Sequence, residues 1–225
     1  SLKNYDNCEH KRDDQMNKRF NLLKAKLHGY THKHNETKKV YNLQNEVGLY
    51  ATAVSNYFIG NHSQSLRNLN ELVNIDPSNP FYRELLGEIY FVNNEYENAT
   101  KYQKEAIKKN KRENDLYYMM LGNYLLSFDN KQKTAEGIKY LKKSLQFNPK
   151  NAYSWYLLAR AYSEMNQISL ANYATAERYF LTGERELSYE FANKAIKNVE
   201  EFSPEWYRTI DLIEILKKEV LTNRQ

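Results

Sequence analysis

Cysteine is nearly missing: Cys8 is the single one in 225 residues. No intrachain disulfide can form, so cysteine usage leaves the redox compartment unread. Glycine (7 residues) and proline (4) are scarce, which argues against an all-β fold with many tight turns. No run of about 18 apolar residues occurs, so no segment reads as a membrane span. A glycine-rich phosphate loop and a Gly-x-Ser-x-Gly elbow are both lacking. There is no signal peptide and no initiating Met, and Ser1 reads as the start of a piece of a longer protein.

What is present is a chain 41% hydrophobic and 27% charged, enough for a continuous core and unlike a disordered polymer. The net charge of +5 is spread among acids rather than gathered on one face. Glu97–Lys101, Lys101–Glu105 and Glu105–Lys109 are i,i+4 pairs of a solvated helix. That pattern points away from nucleic acid. The 20 tyrosines raise base stacking as an idea. Tyr90 and Tyr162, however, fall at recurring positions that suit packing. The abundance of Asn, Lys and Tyr fits an AT-rich genome.

The organisation is helical throughout. Met16, Phe20, Leu23 and Leu27 are spaced four, three and four apart, one apolar face of a helix over Glu9–Leu27. Gly29 reads as its stop, and Thr31–Lys39 reads as a polar loop. Leu85-Leu86-Gly87-Glu88-Ile89-Tyr90, with Ala99 and Ala106, then carries the pattern that matters most. Counted from Pro80, Leu, Gly and Tyr stand at positions 7, 8 and 11, and Ala at 20 and 27. This is the signature of the tetratricopeptide repeat (TPR), a helix–turn–helix of roughly 34 residues. Similar units run over Glu46–Asn79, Pro80–Glu113 and Asp115–Pro149. A fourth starts at Ala152, with Trp155, Leu158, Ala159 and Tyr162 in phase. Asp76-Pro77 and Asn148-Pro149 mark unit ends. Ser203-Pro204-Glu205 opens a last helix, with Ser as N-cap and Pro at N1. The expected fold is an all-α, TPR-like right-handed solenoid of about eleven helices. It divides into residues 1–39, an N-terminal helix and polar loop joining an absent upstream domain, and 40–225, the repeats with a capping helix.

Several runs are more specific than a generic repeat. Leu22-Leu23-Lys24-Ala25-Lys26-Leu27-His28-Gly29-Tyr30 is one, and Asn79-Pro80-Phe81-Tyr82-Arg83-Glu84-Leu85-Leu86-Gly87-Glu88 is another. Ala174-Thr175-Ala176-Glu177-Arg178, Gly183, Ala192, Ala195 and Ser203-Pro204-Glu205-Trp206 follow in order. Together, from Lys18 to about Ile213, they resemble the C-terminal region of bacterial BepA-like zinc metalloproteases, alphaproteobacterial members above all. The resemblance implies a periplasmic protein of envelope quality control, with a signal peptide, an N-terminal HExxH domain and a C-terminal TPR domain. It implies a fragment that recruits substrate or envelope partners and packs near its own upstream protease domain. A cytoplasmic location is the alternative. No HExxH occurs in these residues, so zinc belongs to the absent domain and no cofactor or catalysis is expected here.

Candidate sites follow. His28, His32 and His34 form the one histidine cluster, with Glu36 the nearby carboxylate. His28 and His32 would share a helix face only if the helix continued past Gly29, and a solvated loop is the expected reading. Cys8 beside Glu9 and His10 reads as a free, inert thiol. The expected site is a concave groove lined by the first helix of each unit, at unit positions 2, 5, 9 and 12. These positions pick out Tyr50, Val54 and Tyr57, then Phe81, Glu84, Glu88 and Phe91, then Met119, Asn123 and Leu126, then Tyr156 and Arg160. Phe81, Phe91 and Leu126 serve equally as core. The partner-binding set is Tyr50, Tyr57, Glu84, Glu88, Met119, Asn123, Tyr156 and Arg160, holding a protein or peptide by aromatic area and polar register. No metal ligand set is expected.

Overall fold

The structure is a computed structural model that describes residues 14–31, 34–42, 44–110 and 114–222. Cys8, His10 and His32 lie outside them, as does the expected helix start at Glu9. Twelve α-helices and no strand occur among the described residues. They are α1 (Asp14–Thr31), α2 (His34–Val40), α3 (Glu46–Phe58), α4 (His62–Ile75), α5 (Pro80–Val92) and α6 (Tyr96–Lys109). Then come α7 (Asp115–Leu125), α8 (Lys131–Phe147), α9 (Ala152–Glu164), α10 (Ile168–Thr182), α11 (Arg185–Ala195) and α12 (Pro204–Thr222). The fold is all-α and TPR-like, as the sequence pattern leads one to expect. The helix beyond the expected eleven is α2, which occupies the stretch read as a loop. The chain forms two compact units, residues 1–89 and 90–225.

Asparagine has a structural use that composition did not reveal. Asn45, Asn61, Asn130 and Asn151 each accept the backbone N–H three residues on, at Gly48, Gln64, Lys133 and Ser154. Asn114 caps α7 through Leu116 N. Each cap satisfies one of the donors that a helix start leaves without a partner. Asn94 (φ 61°) and Asn166 (φ 58°) take the left-handed conformation that ends α5 and α9.

In the first unit α1 and α4 both pack on α3. The expected stop at Gly29 does not occur, and α1 runs through it to Thr31. The glycine serves close approach instead. A Cβ there would lie 2.6 Å from Ala51 O and 2.9 Å from Val54 Cβ. The small residues Ala25 and Gly29 therefore choose the docked face, and with Leu22 they are buried against the rest of the unit. The expected apolar face of α1 is the opposite one, and it stays open. Met16, Phe20, Leu23 and Leu27 are all exposed, at 66%, 63%, 54% and 57%. The ridge of large side chains would hold α1 too far from α3 for its part-buried polar ties to close. Those ties bind Lys18 Nζ to Glu46 Oε1 (2.9 Å) and Asp76 Oδ2 (2.8 Å). Ser65 Oγ donates to Ala53 O at 2.7 Å and joins α4 to α3.

In the second unit successive helices from α6 to α12 pack as antiparallel neighbours. Leu126, Leu141, Leu145, Leu157, Leu158, Ala161, Tyr162 and Ala174 form one core cluster. Ala176, Ala192, Leu212 and Leu216 form another beneath α12. Gly122, at the small position of its repeat, lets α8 close on α7: a Cβ there would stand 2.6 Å from Leu141 Cγ. Ser188 Oγ donates to Ala176 O at 2.8 Å, repeating at α10–α11 the tie seen between α3 and α4. Glu177 is buried and accepts both Arg208 Nε (2.6 Å) and a second guanidinium N–H (3.0 Å), which fastens α12. A buried carboxylate needs such a fixed, bidentate partner.

Candidate protein-binding surfaces

Within the first unit, α1, α3 and α5 bring Lys26, Tyr57, Glu84 and Glu88 together. Lys26 Nζ donates to both oxygens of Glu84, at 3.0 and 2.8 Å. Tyr57 Oη donates to Glu88 Oε1 at 3.1 Å. Burial, and secondarily the negative charge of Glu84, push the Glu88 carboxyl above its ordinary value, against the pull of Lys26 and Tyr57. Burial and then Glu88 raise the Tyr57 phenol, which keeps it protonated and a hydrogen-bond donor at neutral pH. Glu84 is nearly enclosed and its charge is matched by Lys26, so Glu88 is the carboxylate left with a neutral partner.

Three expected groove residues in this unit are corrected. Tyr50 is 1% exposed, its ring 5.2 Å from that of Tyr82, and Val54 is equally buried. Both belong to the core of the unit: Val54 lies against Gly29 of α1 and Tyr50 against Tyr82 of α5. Glu84 is 8% exposed and serves as the counter-charge of Lys26 rather than as free groove surface. Tyr82 Oη adds a 2.6 Å bond to Glu46 on the same packed side.

Within the second unit, Tyr156 on α9 is 40% exposed and its ring stacks on Tyr153 at 5.7 Å and 24°. The Arg178 guanidinium of α10 lies 5.1 Å from the Tyr156 ring centre and 5.4 Å from that of Tyr179. Such cation–π stacking holds the guanidinium flat without using up its hydrogen-bond donors. Met119 is half-buried against the core, with Asn151 Nδ2 3.6 Å from its sulfur. Asn123 is half-buried on α7. Arg160 is turned to structural use: it donates to Leu126 O at 2.9 Å and to Glu164 Oε1 at 3.0 Å, tying α9 to the end of α7. Leu126 is core, and Phe91 stacks on Tyr124 at 4.5 Å. Phe81 is half-buried.

Three residues were missed in the sequence. Tyr153 stands at unit position 2 and was open to the same rule that chose Tyr156. Arg178 falls at position 27, where the repeat usually has a small residue, and that departure was its signal. Lys26 gave none, since 58 residues separate it from Glu84.

His28 Nδ1 lies 3.4 Å from Thr37 Oγ1, and the ring meets Tyr41 edge-on at 5.2 Å. Among the described residues no three His, Cys, Asp or Glu side chains gather as a metal site. No described helix is long and apolar enough to cross a membrane.

A tetratricopeptide-repeat family model matches residues 140–177, from late α8 through α9 into α10. No curated protein sequence is detectably similar to the chain. Solved structures of MamA share the fold. One is 17% identical, covers 77% of this chain and 97% of its own length, and has a TM-score of 0.56. The MamA AMB-1 structure is 18% identical over 73% of this chain and 99% of its own, with a TM-score of 0.60. MamA MSR-1 gives 18%, 74%, 95% and 0.59 in the same order. At such identities the likeness establishes a TPR-type fold, a class built of stacked helix pairs that present surface to protein partners.

Proposed function

We propose that this chain is a non-catalytic interaction module that holds a protein or peptide partner on exposed aromatic and charged helix faces. We propose further that it is the C-terminal recruiting domain of a periplasmic BepA-like zinc metalloprotease, which delivers substrate or envelope partners to an upstream HExxH domain. The observation that carries the binding reading is the Tyr153–Tyr156–Arg178 stack. Large rings and a guanidinium are already ordered against one another, so a partner gains contact area at little further entropic cost. In the first unit, Glu88 with the Tyr57 hydroxyl suits a cationic side chain of a partner. The protease reading rests on the sequence resemblance alone.

A photo-crosslinking residue in place of Tyr156 tests the binding reading. In cells it is expected to give a discrete protein adduct, while the same residue at Lys139, exposed on α8, gives none. Equal adducts at both positions, or none at Tyr156, refute the surface assignment. The protease reading is tested separately by the reading frame upstream of Ser1 and by peptidase rates with and without residues 1–225. An upstream region without HExxH leaves a TPR scaffold unrelated to proteolysis, and equal rates refute recruitment.

A further inference from the structure

The open ridge of α1 has a geometry of its own. Met16, Phe20, Leu23, Leu27 and Tyr30 follow one another at spacings of four, three, four and three. That is a strict heptad seam, with Phe20 and Leu27 at a and Met16, Leu23 and Tyr30 at d. All five are more than half exposed. The seam runs two heptads, about 21 Å at 1.5 Å per residue. It points away from α3, on the side opposite Leu22, Ala25 and Gly29. At its end Tyr30 meets Phe58 edge-on at 4.5 Å, and Phe58 is itself 48% exposed, so the apolar ridge continues onto α3.

The residues beside the seam carry charge of one sign. Positions e are Asn17, Lys24 and Thr31, and positions g are Arg19 and Lys26. No Asp or Glu occurs from Met16 to Asn35. Lys26 is partly neutralised by Glu84, which leaves Arg19 and Lys24 as the rim charges. In coiled coils e and g charges choose the partner, and like charges across the seam repel.

We infer that the outer face of α1 is a docking seam for a partner helix with apolar a and d residues and glutamates or aspartates at e and g. The charge pattern disfavours pairing with a second copy, which would set Arg19 and Lys24 against their own kind. The narrow seam, bordered by Asn17, Arg19, Lys24 and Thr31, is also unlike the broad apolar face of a helix that lies in a lipid surface. This surface is separate from the aromatic stack on α9 and does not depend on it.

The test uses the full chain and two synthetic peptides of three heptads. Both carry leucine at a and d, one with glutamate and the other with lysine at e and g. Calorimetric titration is expected to show the acidic peptide binding at least about tenfold more tightly, or ~1.4 kcal/mol. The double variant Arg19→Glu, Lys24→Glu should invert that order, and Phe20→Ser with Leu27→Ser should abolish binding of both. Phe20, Lys24 and Leu27 are exposed and Arg19 is half-buried on the rim, so the variants should keep the wild-type circular-dichroism melt. Equal binding of the two peptides, or binding of neither, overturns the inference. So does a dimer in sedimentation velocity that Leu23→Ser dissolves, since a second copy would then fill the seam. Capture by phosphatidylserine vesicles that depends on Phe20 also overturns it, in favour of lipid.

Discussion

Gly29→Ala tests the physical reason why α1 exposes its ridge. In a helix interior this change normally helps, by about 1 kcal/mol, because alanine restricts the unfolded chain and glycine does not. Here the new methyl would lie 2.6 Å from Ala51 O and 2.9 Å from Val54 Cβ. Overpacking of a core costs about 1–3 kcal/mol. The upper end applies, because one obstacle is backbone of α3 and the other is the root of a branched side chain. Neither can swing aside as a long side chain does. The net expectation is a loss of about 2 kcal/mol, or roughly 4–8 °C in Tm for a chain of this size. Gly60→Ala is the control. Nothing lies within 4 Å of a Cβ there, and the cost comes only from its φ of +78°, about 1 kcal/mol. The assay is thermal unfolding followed by far-UV circular dichroism on the wild type and both variants. If Gly29→Ala melts at or above the wild-type temperature, helix propensity has won. The close seating of α1 on α3, and the exposure of its ridge with it, would then be wrong.

Two pH predictions run in opposite directions. Burial alone would raise the Asp76 carboxyl, but its bonds to Lys18 and Ser78 outweigh burial and hold it below the ordinary 3.8. Its contribution is therefore present above that value and lost as pH falls through the folded-state value. Asp76→Asn should cost about 1 kcal/mol near neutrality, discounted for partial exposure. The deficit should shrink as pH falls below 3.8, and a deficit that stays constant down to the acid limit of folding refutes the assignment. Glu88 is shifted the other way, raised chiefly by burial and then by Glu84. Ionising it costs stability as pH rises through the folded-state value, and that cost is absent below the ordinary 4.5. Glu88→Gln keeps an acceptor for the Tyr57 hydroxyl and removes the charge. It should be as stable as the wild type in acid and equally or more stable at neutral pH. A Tm several degrees lower at neutral pH would contradict it.

The helices themselves were legible in the sequence. Spacing of apolar residues, Pro and Gly stops and the recurring positions held by Leu, by Gly or Ala, and by Tyr are local signals, each written within one turn or one repeat. Leu121-Gly122 and Trp155 with Leu158, Ala159 and Tyr162 fell where helices pack. The α2 helix was not legible, because six polar residues before Val40 carry no apolar period and its Thr37 is buried only by its neighbours. The reading of Gly29 failed for a related reason: the same residue ends one helix and permits close approach in another.

The groove residues divide along the same line. The rule of positions 2, 5, 9 and 12 places Tyr50 and Tyr57 on one face of α3, and periodicity alone cannot separate them. Packing does, because Tyr50 is enclosed against Tyr82 of α5 while Tyr57 stays half open and meets Glu88. Arg160 could be known as a guanidinium on α9, yet only the neighbouring hairpin decides that it is spent on the Leu126 carbonyl. Outside α2 and the end of α1, the sequence determined which residues are helical and which side chains share a face, since both depend on the chain's own period. Tertiary structure alone decided which of two faces is buried, as on α1, where Leu22 and the small residues Ala25 and Gly29 were docked and five large ones left out. That choice depends on how closely a second helix can approach, and the distance is set by residues far away in the chain.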